Sequence, residues 1–282
     1  MGIWIEDSPE PDELNVMAIH PTAIVDPGAK IGEGVEIGPY SIVEDGVEIG
    51  ANTRIASHVL VKRGVRMGSR CNLHANCIIG DHPQYIGFDT SLKTGVLIGD
   101  NCTFREGVTV HTSIYDGKDT VIGNGVFLMV YSHVAHDCIL ADNVILTNNV
   151  MLAGHVDIGK NVYVGGGAAL HQFVRIGEGA MVGGVARITK DVAPYLMATE
   201  RDEVNGFNLV GLKRRKVARE SIRELKELFH LLFGTYGNIR EQAREELDRR
   251  GDAISGEARI FLEFFCEGKR GFCGVDLKSQ AE

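Results

Sequence analysis

From Ile19 onward, a branched or bulky apolar residue recurs at every sixth position: Ile19, Val25, Ile31, Ile37, Val43, Ile49, Ile55, Val61, Met67, Leu73 and Ile79. The register resumes at Ile98, Phe104 and Val110, and again from Ile122 through Val134, Leu140, Leu152, Ile158, Leu170 and Ile176 to Ile188. Four residues after each comes a small residue, and Cys71, Cys77, Cys102 and Cys138 hold such places. Six residues are too few for a helix pair or a propeller blade but suit a parallel β-helix, in which each hexad is a short strand and a turn and three hexads close one triangular coil. The large residue then points inward onto its equivalent 18 residues later, while Gly or Asn supplies the positive φ of a tight corner. Two segments break the run, 81–96 and 113–120, and are expected to leave the prism as loops.

The period ends after Val192, and Ala193-Pro194 marks a boundary. The expected organisation is an N-terminal extension over 1–18, a hexapeptide-repeat β-helix over 19–192 and a C-terminal helical domain over 193–282. Within the last, Ser221 and Glu224 fit a capping box at the head of a helix ending at Gly234, followed by helices over 239–249 and 258–265. The fold class is thus all-β repeat plus α.

Composition agrees with short strands and frequent turns. Of 282 residues, 35 are Gly, one is Trp and 7% are aromatic, while 44% hydrophobic content excludes disorder. The net charge of −9 argues against a surface built to grip nucleic acid. No apolar run is long enough to span a bilayer, and the acidic start is unlike a secretory leader, so a soluble cytoplasmic protein is expected. Glu6 stands where a myristoylation signal after Gly2 requires Ser or Thr. The six cysteines lack metal-ligand spacing and read as reduced packing residues.

Candidate chemistry gathers in one stretch. His136, Gly154 and Gln172 are the third residues of hexads spaced 18 apart, so they stack along one edge, with His133, His155 and His171 beside that column. An imidazole titrating near neutrality is a suitable general base for a hydroxyl that attacks an acyl carbonyl, and His136 is the candidate. Asp137 follows it and can hold the ring, whereas Gly154 exposes a backbone N–H fit for an oxyanion. No Ser or Cys has a comparable setting, which favours direct attack over an acyl-enzyme. Zinc is the competing use of clustered histidines, as in a γ-carbonic anhydrase type of protein, but no metal is expected. The basic run 212–223 offers Arg214 and Arg215 to a diphosphate, and Lys213, Lys216 and Arg219 to an acidic carrier protein.

The segments HPTAIV, HVAHDC, LAGHV, LHQF, NLVGLKRRK and FFCEGKRG, in this order, resemble the UDP-N-acetylglucosamine O-acyltransferase family of lipid A biosynthesis, with Met17 near that family's usual start. The resemblance implies a left-handed parallel β-helix, an exception to the right-handed crossover rule, assembled as a homotrimer. It implies transfer of a hydroxyacyl group from acyl carrier protein to the 3-position of a UDP-amino sugar, without a cofactor. His136 and Asp137 match the catalytic base and its acid, and Gly154 the oxyanion donor. Gln84, His111, His133, His155, His171, Gln172, Asn208, Arg214 and Arg215 match substrate contacts; Met181 and Gly184 lie where the acyl chain ends. Tyr85, Gly87 and Val210 depart from the pattern, leaving open a 3-amino acceptor, another acyl donor, an acetyl-CoA-dependent N-acetyltransferase of nucleotide sugars, or a scaffold without catalysis.

Overall fold

A computed structural model describes residues 18–234 and 237–275. The expected N-terminal extension, apart from Ala18, and the Gly2, Glu6 and Met17 assignments lie outside the described residues, as do 235–236 and 276–282.

The hexads build a left-handed parallel β-helix whose strands are mostly two residues long. Three faces result. The first runs from Ile24–Val25 through His133–Val134, Met151–Leu152 and Ala169–Leu170 to Arg187–Ile188; the second runs from Lys30–Ile31 to Arg175–Ile176. The third runs from Glu36–Ile37 to Met181–Val182 and is extended by Leu196–Thr199 and Glu203–Phe207. Each residue pairs with its equivalent 18 positions on, as in Val134↔Leu152 and Leu152↔Leu170, except across the two insertions. The inward column is dry: Leu73, Ile79, Phe104, Val110, Leu128, Leu140 and Val164 are fully buried. The small positions hold Cys71, Cys77, Cys102 and Cys138, all free thiols and buried, and burial pushes the Cys77 and Cys138 thiols up to about 12. Corners take Asn at positive φ, as at Asn52, Asn101 and Asn161, or Gly, as at Gly34 and Gly125.

Both insertions leave from the edge between the first and second faces. The strands claim Ile78–Asp81, Gly95–Ile98, Thr109–His111 and Asp119–Ile122, so the excursions are 82–94 and 112–118, shorter than their expected lengths. Beyond Val192 the chain is not yet helical. Leu196–Thr199 stacks in parallel on Met181–Val182, and Glu203–Phe207 returns antiparallel, because Ala198 still supplies an inward small residue, fully buried.

Among the described residues four α-helices follow: α1 (Leu209–Arg214), α2 (Arg219–Gly234), α3 (Ile239–Arg250) and α4 (Gly256–Cys266). The expected capping box does not form. Helix α2 starts two residues before Ser221, which is buried inside it, and Glu224 instead accepts from Arg250 Nη1 at 2.9 Å and from the Ser255 N–H at 3.1 Å. Glu224 thereby ties α2 to α3 and to the start of α4.

Arg175 clamps the helices to the last coils. Its Nε donates to the fully buried Asp191 carboxylate at 2.8 Å, and its Nη2 donates to the carbonyls of Phe264 and Glu267, both at 3.0 Å. The guanidinium lies over the Phe264 ring, 4.2 Å from its centre. Arg175→Met keeps the aliphatic stem but strands a buried carboxylate, so it is expected to cost about 3 kcal/mol in unfolding free energy, read from a urea denaturation midpoint.

Candidate active site

The hexad register brings the candidate residues together on the first-to-second edge. His136 and Gly154 occupy equivalent places in successive coils, with the His155 N–H donating to the His136 carbonyl at 3.0 Å and the Phe173 N–H to the Gly154 carbonyl at 3.3 Å. A Cβ on Gly154 would fall 2.5 Å from His136 Nε2, so only glycine leaves room for the imidazole against that backbone. Among the described residues no acceptor takes the Gly154 N–H.

Asp137 does contact His136: its Oδ2 lies 2.8 Å from Nδ1. The carboxylate is itself held by the Ser113 hydroxyl and the Ile114 N–H, the latter at 3.3 Å, and the Asp137 N–H donates to Thr120 Oγ1 at 2.8 Å. An acidic acceptor on Nδ1 fixes the proton there and leaves Nε2 with its lone pair, the form a general base requires. Ser113 was missed from sequence. It is fully buried, it bonds both Asp137 and the Tyr115 N–H at 3.0 Å, and so it supports the acid rather than facing a substrate. The one sequence signal is that it opens the second insertion.

A cavity of about 710 Å³ lies beside this edge, lined by Gln84, His133, His136, Gly154, His171 and Gln172 among the expected residues, and by Arg187 and Thr189, which were not expected. His155 stands around the corner: its ring stacks on Phe173 at 4.5 Å, meets the His136 ring edge-on at 5.0 Å, and puts Nε2 3.9 Å from Asp137. His111 packs edge-on behind His133, centroids 4.8 Å apart, with its Nδ1 buried and unpartnered. Burial, then the nearby His111 and His136 rings, push the His133 pKa down to about 4, and burial also lowers those of His111 and His155.

The remaining candidates are not in that cavity. Asn208 caps α1 by accepting from the Gly211 N–H at 2.9 Å, and its Nδ2 donates to the Gly179 carbonyl at 3.1 Å, on the edge between the second and third faces. Arg215 lies over the Tyr195 ring at 5.3 Å with Nη2 buried and unpartnered, and Arg214 is exposed beside it. Met181 is on the third face and Gly184 on the edge between the third and first faces. Lys213 and Lys216 are exposed on α1 and just after it, and Arg219 is exposed at the start of α2. Of the departing residues, Tyr85 and Val210 are exposed.

His136, Asp137 and His155 place one ligand atom each within 4.8 Å of one another, which meets the spacing a metal ion needs. No helix among the described residues is long and apolar enough to cross a membrane.

The chain matches a model described as UDP N-acetylglucosamine O-acyltransferase, domain 2, over residues 191–273, and a bacterial transferase hexapeptide model over 28–63 and 119–154. It is 37% identical over 255 residues to an acyl-[acyl-carrier-protein]–UDP-N-acetylglucosamine O-acyltransferase of Campylobacter concisus, covering 90% of this chain and 96% of that one. A namesake from Campylobacter jejuni subsp. doylei is 43% identical, covering 90% and 95%. Among solved structures, LpxA from Acinetobacter baumannii superposes with a TM-score of 0.87 at 35% identity, covering 91% of this chain and 99% of that one. The UDP-N-acetylglucosamine O-acyltransferase of Moraxella catarrhalis gives 0.86 at 36%, covering 91% and 100%.

The lowered His133 value has a thermodynamic consequence. The unfolded chain takes up a proton near pH 6.5 that the native ring refuses until about 4, so the stability contributed by neutral His133 is present above 6.5 and is lost as pH falls through that window. His133→Gln is expected to flatten the pH dependence of unfolding free energy across the window, measured by denaturation at a series of pH values.

Proposed function

The chain belongs to the UDP-N-acetylglucosamine O-acyltransferase family, and we propose that the edge bearing His136, Asp137 and Gly154 is its catalytic centre. The protein moves an acyl group from acyl carrier protein to the 3-position of UDP-N-acetylglucosamine, the first step of lipid A biosynthesis. The observation that carries the site is the 2.8 Å bond between His136 Nδ1 and Asp137, made next to a Gly154 N–H without an acceptor and beside a cavity.

In this reading His136 Nε2 removes the proton of the sugar hydroxyl as its oxygen attacks the thioester carbonyl carbon. The carbonyl electrons move onto oxygen, where the Gly154 N–H stabilises them. Collapse restores the carbonyl and breaks the carbon–sulfur bond, and the departing thiolate recovers the proton from His136. Asp137, held by Ser113 and Thr120, stabilises the transient imidazolium and keeps the ring in place. His133, kept neutral by burial, contacts substrate without adding charge.

Asn208 and Arg215 lie on a different edge from His136, so one substrate reaches both sets only where two chains meet. That separation supports a homotrimer with sites between subunits, as do Ile139, Met151 and Val185, each about half or more exposed. Arg215 Nη2, buried and unpartnered, and Arg214 are then placed for the diphosphate, with Gln84, His111, His155, His171 and Gln172 toward the sugar and the acyl carbonyl. Met181 and Gly184 bound the acyl tail, and Lys213, Lys216 and Arg219 receive the carrier. A cytoplasmic location is consistent with both substrates. The proposed organisation keeps a β-helix over 19–192 and a C-terminal domain over 193–282.

A metal site formed by His136, Asp137 and His155 is the second reading, on the strength of their spacing. Against it, both Asp137 oxygens already accept hydrogen bonds, so an ion would have to displace His136 Nδ1 or the Ser113 and Ile114 donors. Acyl transfer is expected to survive dialysis against a chelator; stoichiometric zinc in elemental analysis, with activity lost on its removal, would favour the metal.

Acyl transfer from a panel of carrier thioesters tests the main reading. His136→Ala is expected to lose about 10³-fold in kcat with the fold intact. Gly154→Ala, whose Cβ collides with the imidazole, is expected to lose about 10²-fold. A His136→Ala enzyme within a few fold of the parent would sink the assignment.

A further inference from the structure

His171 lines the cavity, and the group that contacts this histidine arrives from the far end of the chain. After α4 the backbone turns back along the last coil: the Asp191 N–H donates to the Gly271 carbonyl at 2.9 Å, and the Cys273 N–H donates to the Asp191 carbonyl at 2.8 Å. Phe272 packs edge-on against Phe265, centroids 4.8 Å apart, under the Arg240 guanidinium. Arg270 therefore projects from an anchored segment. Its Nε donates to the Thr189 carbonyl at 3.3 Å, and its Nη2 lies 2.9 Å from His171 Nδ1. Thr189 is fixed in turn by Asp202, which accepts from its N–H and its hydroxyl, both at 2.6 Å.

A guanidinium has five donors, no acceptor and no proton to lose, so the nitrogen facing it must offer a lone pair. His171 Nδ1 has one competing contact, the Gln172 carbonyl at 3.3 Å, which would require a proton on that nitrogen. The two contacts exclude one another. The one to Arg270 is shorter and charge-assisted, so it prevails.

We propose that Arg270 is a positioning residue of the active site, which holds His171 as the neutral tautomer with its proton on Nε2. His171 then meets a substrate as a hydrogen-bond donor, matched to a carbonyl or phosphate oxygen and mismatched to a hydroxyl that needs an acceptor. This is the opposite tautomer to that of His136, whose Nδ1 faces a carboxylate. Two histidines lining one cavity are thus assigned complementary roles by the charge of the group behind each. The consequence for substrate rests on the acyltransferase reading; the tautomer does not.

The test is the side-chain ¹⁵N spectrum of the full chain near neutral pH, with the His171 signals assigned by their loss in His171→Gln. Nδ1 is expected to appear unprotonated and Nε2 protonated in the native chain and in Arg270→Lys, which keeps a donor. In Arg270→Met the proton is expected to shift toward Nδ1 and the Gln172 carbonyl, with KM rising about tenfold while kcat changes little. A native His171 protonated on Nδ1 overturns the proposal whatever the variants do, and so does an unchanged tautomer in Arg270→Met. Absence of acyl transfer by the native chain would count against the acyltransferase reading alone, since the nitrogen spectrum reports the tautomer independently.

Discussion

The 18-residue stacking of one coil on the next is the constraint from which the rest follows. Strands of two residues have no stability of their own. Each is held by hydrogen bonds to the coils on either side and by an inward residue resting on its equivalent, as Val134, Leu152 and Leu170 do on the first face. The spacing of side chains along an edge is thereby set by the backbone, at about 4.8 Å per coil. Placing His136 above Gly154 costs no further organisation, which suits a site whose work is positioning. The same constraint governs where chain can be inserted. Extra residues at a corner leave the inward ladder in phase, and both excursions, 82–94 and 112–118, start and finish at the first-to-second edge.

The second excursion does more than decorate that edge. By returning Ser113 and Ile114 to Asp137, it gives a carboxylate at a corner the hydrogen bonds that water would otherwise supply. Burial of the site disfavours the charged forms of His111, His133 and His155, and His133 shows this most strongly because no carboxylate offsets it; its ring pairs with Thr109 Oγ1 at 2.7 Å. The rings of His111 and His133, 4.8 Å apart, and those of His136 and His155, 5.0 Å apart, would repel one another within each pair if both were charged. Burial favours the neutral forms of His111, His133 and His155, while His136 is the imidazole that Asp137 touches.

Much of this was legible because a strict period converts sequence separation into spatial separation. Inward residues, corner glycines and asparagines, buried cysteines and the His136–Gly154–Gln172 column all follow from counting by six. What lay outside the period was read less well. Ser113 belongs to the insertion that interrupts the register, so no count links it to Asp137, and Thr120 lies in the strand that follows. Arg270 meets His171 only because α4 and the segment after it fold back on the last coil, a long-range contact with no local signature. Glu224 looked like a cap since its spacing from Ser221 is right, but its carboxylate gains more from Arg250 and the Ser255 N–H, and the helix simply starts earlier. Similarly, Ala193-Pro194 ends the visible hexads while the backbone completes a further strand pair before helices begin.

The corner conformation sets apart the edge on which the proposed site lies. Asp137, His155 and Phe173 occupy the same corner position in successive coils, and all three have φ near +60°. Elsewhere that conformation falls mostly to Gly or Asn, for which it carries little or no penalty, whereas a larger side chain pays about 1 kcal/mol or more. Three consecutive coils therefore accept backbone strain at the one edge where an acid, an imidazole and an aromatic ring are stacked. The strain has a geometric return: a left-handed residue points its side chain away from the direction its neighbours take, so Asp137 turns back to reach both His136 and the Ser113 loop. With Asn at that corner the ring would keep a neighbour but lose the charge that stabilises its protonated form, and with Gly it would lose both. The stability of the inward ladder is what lets the fold hold these residues in a conformation they would not choose alone.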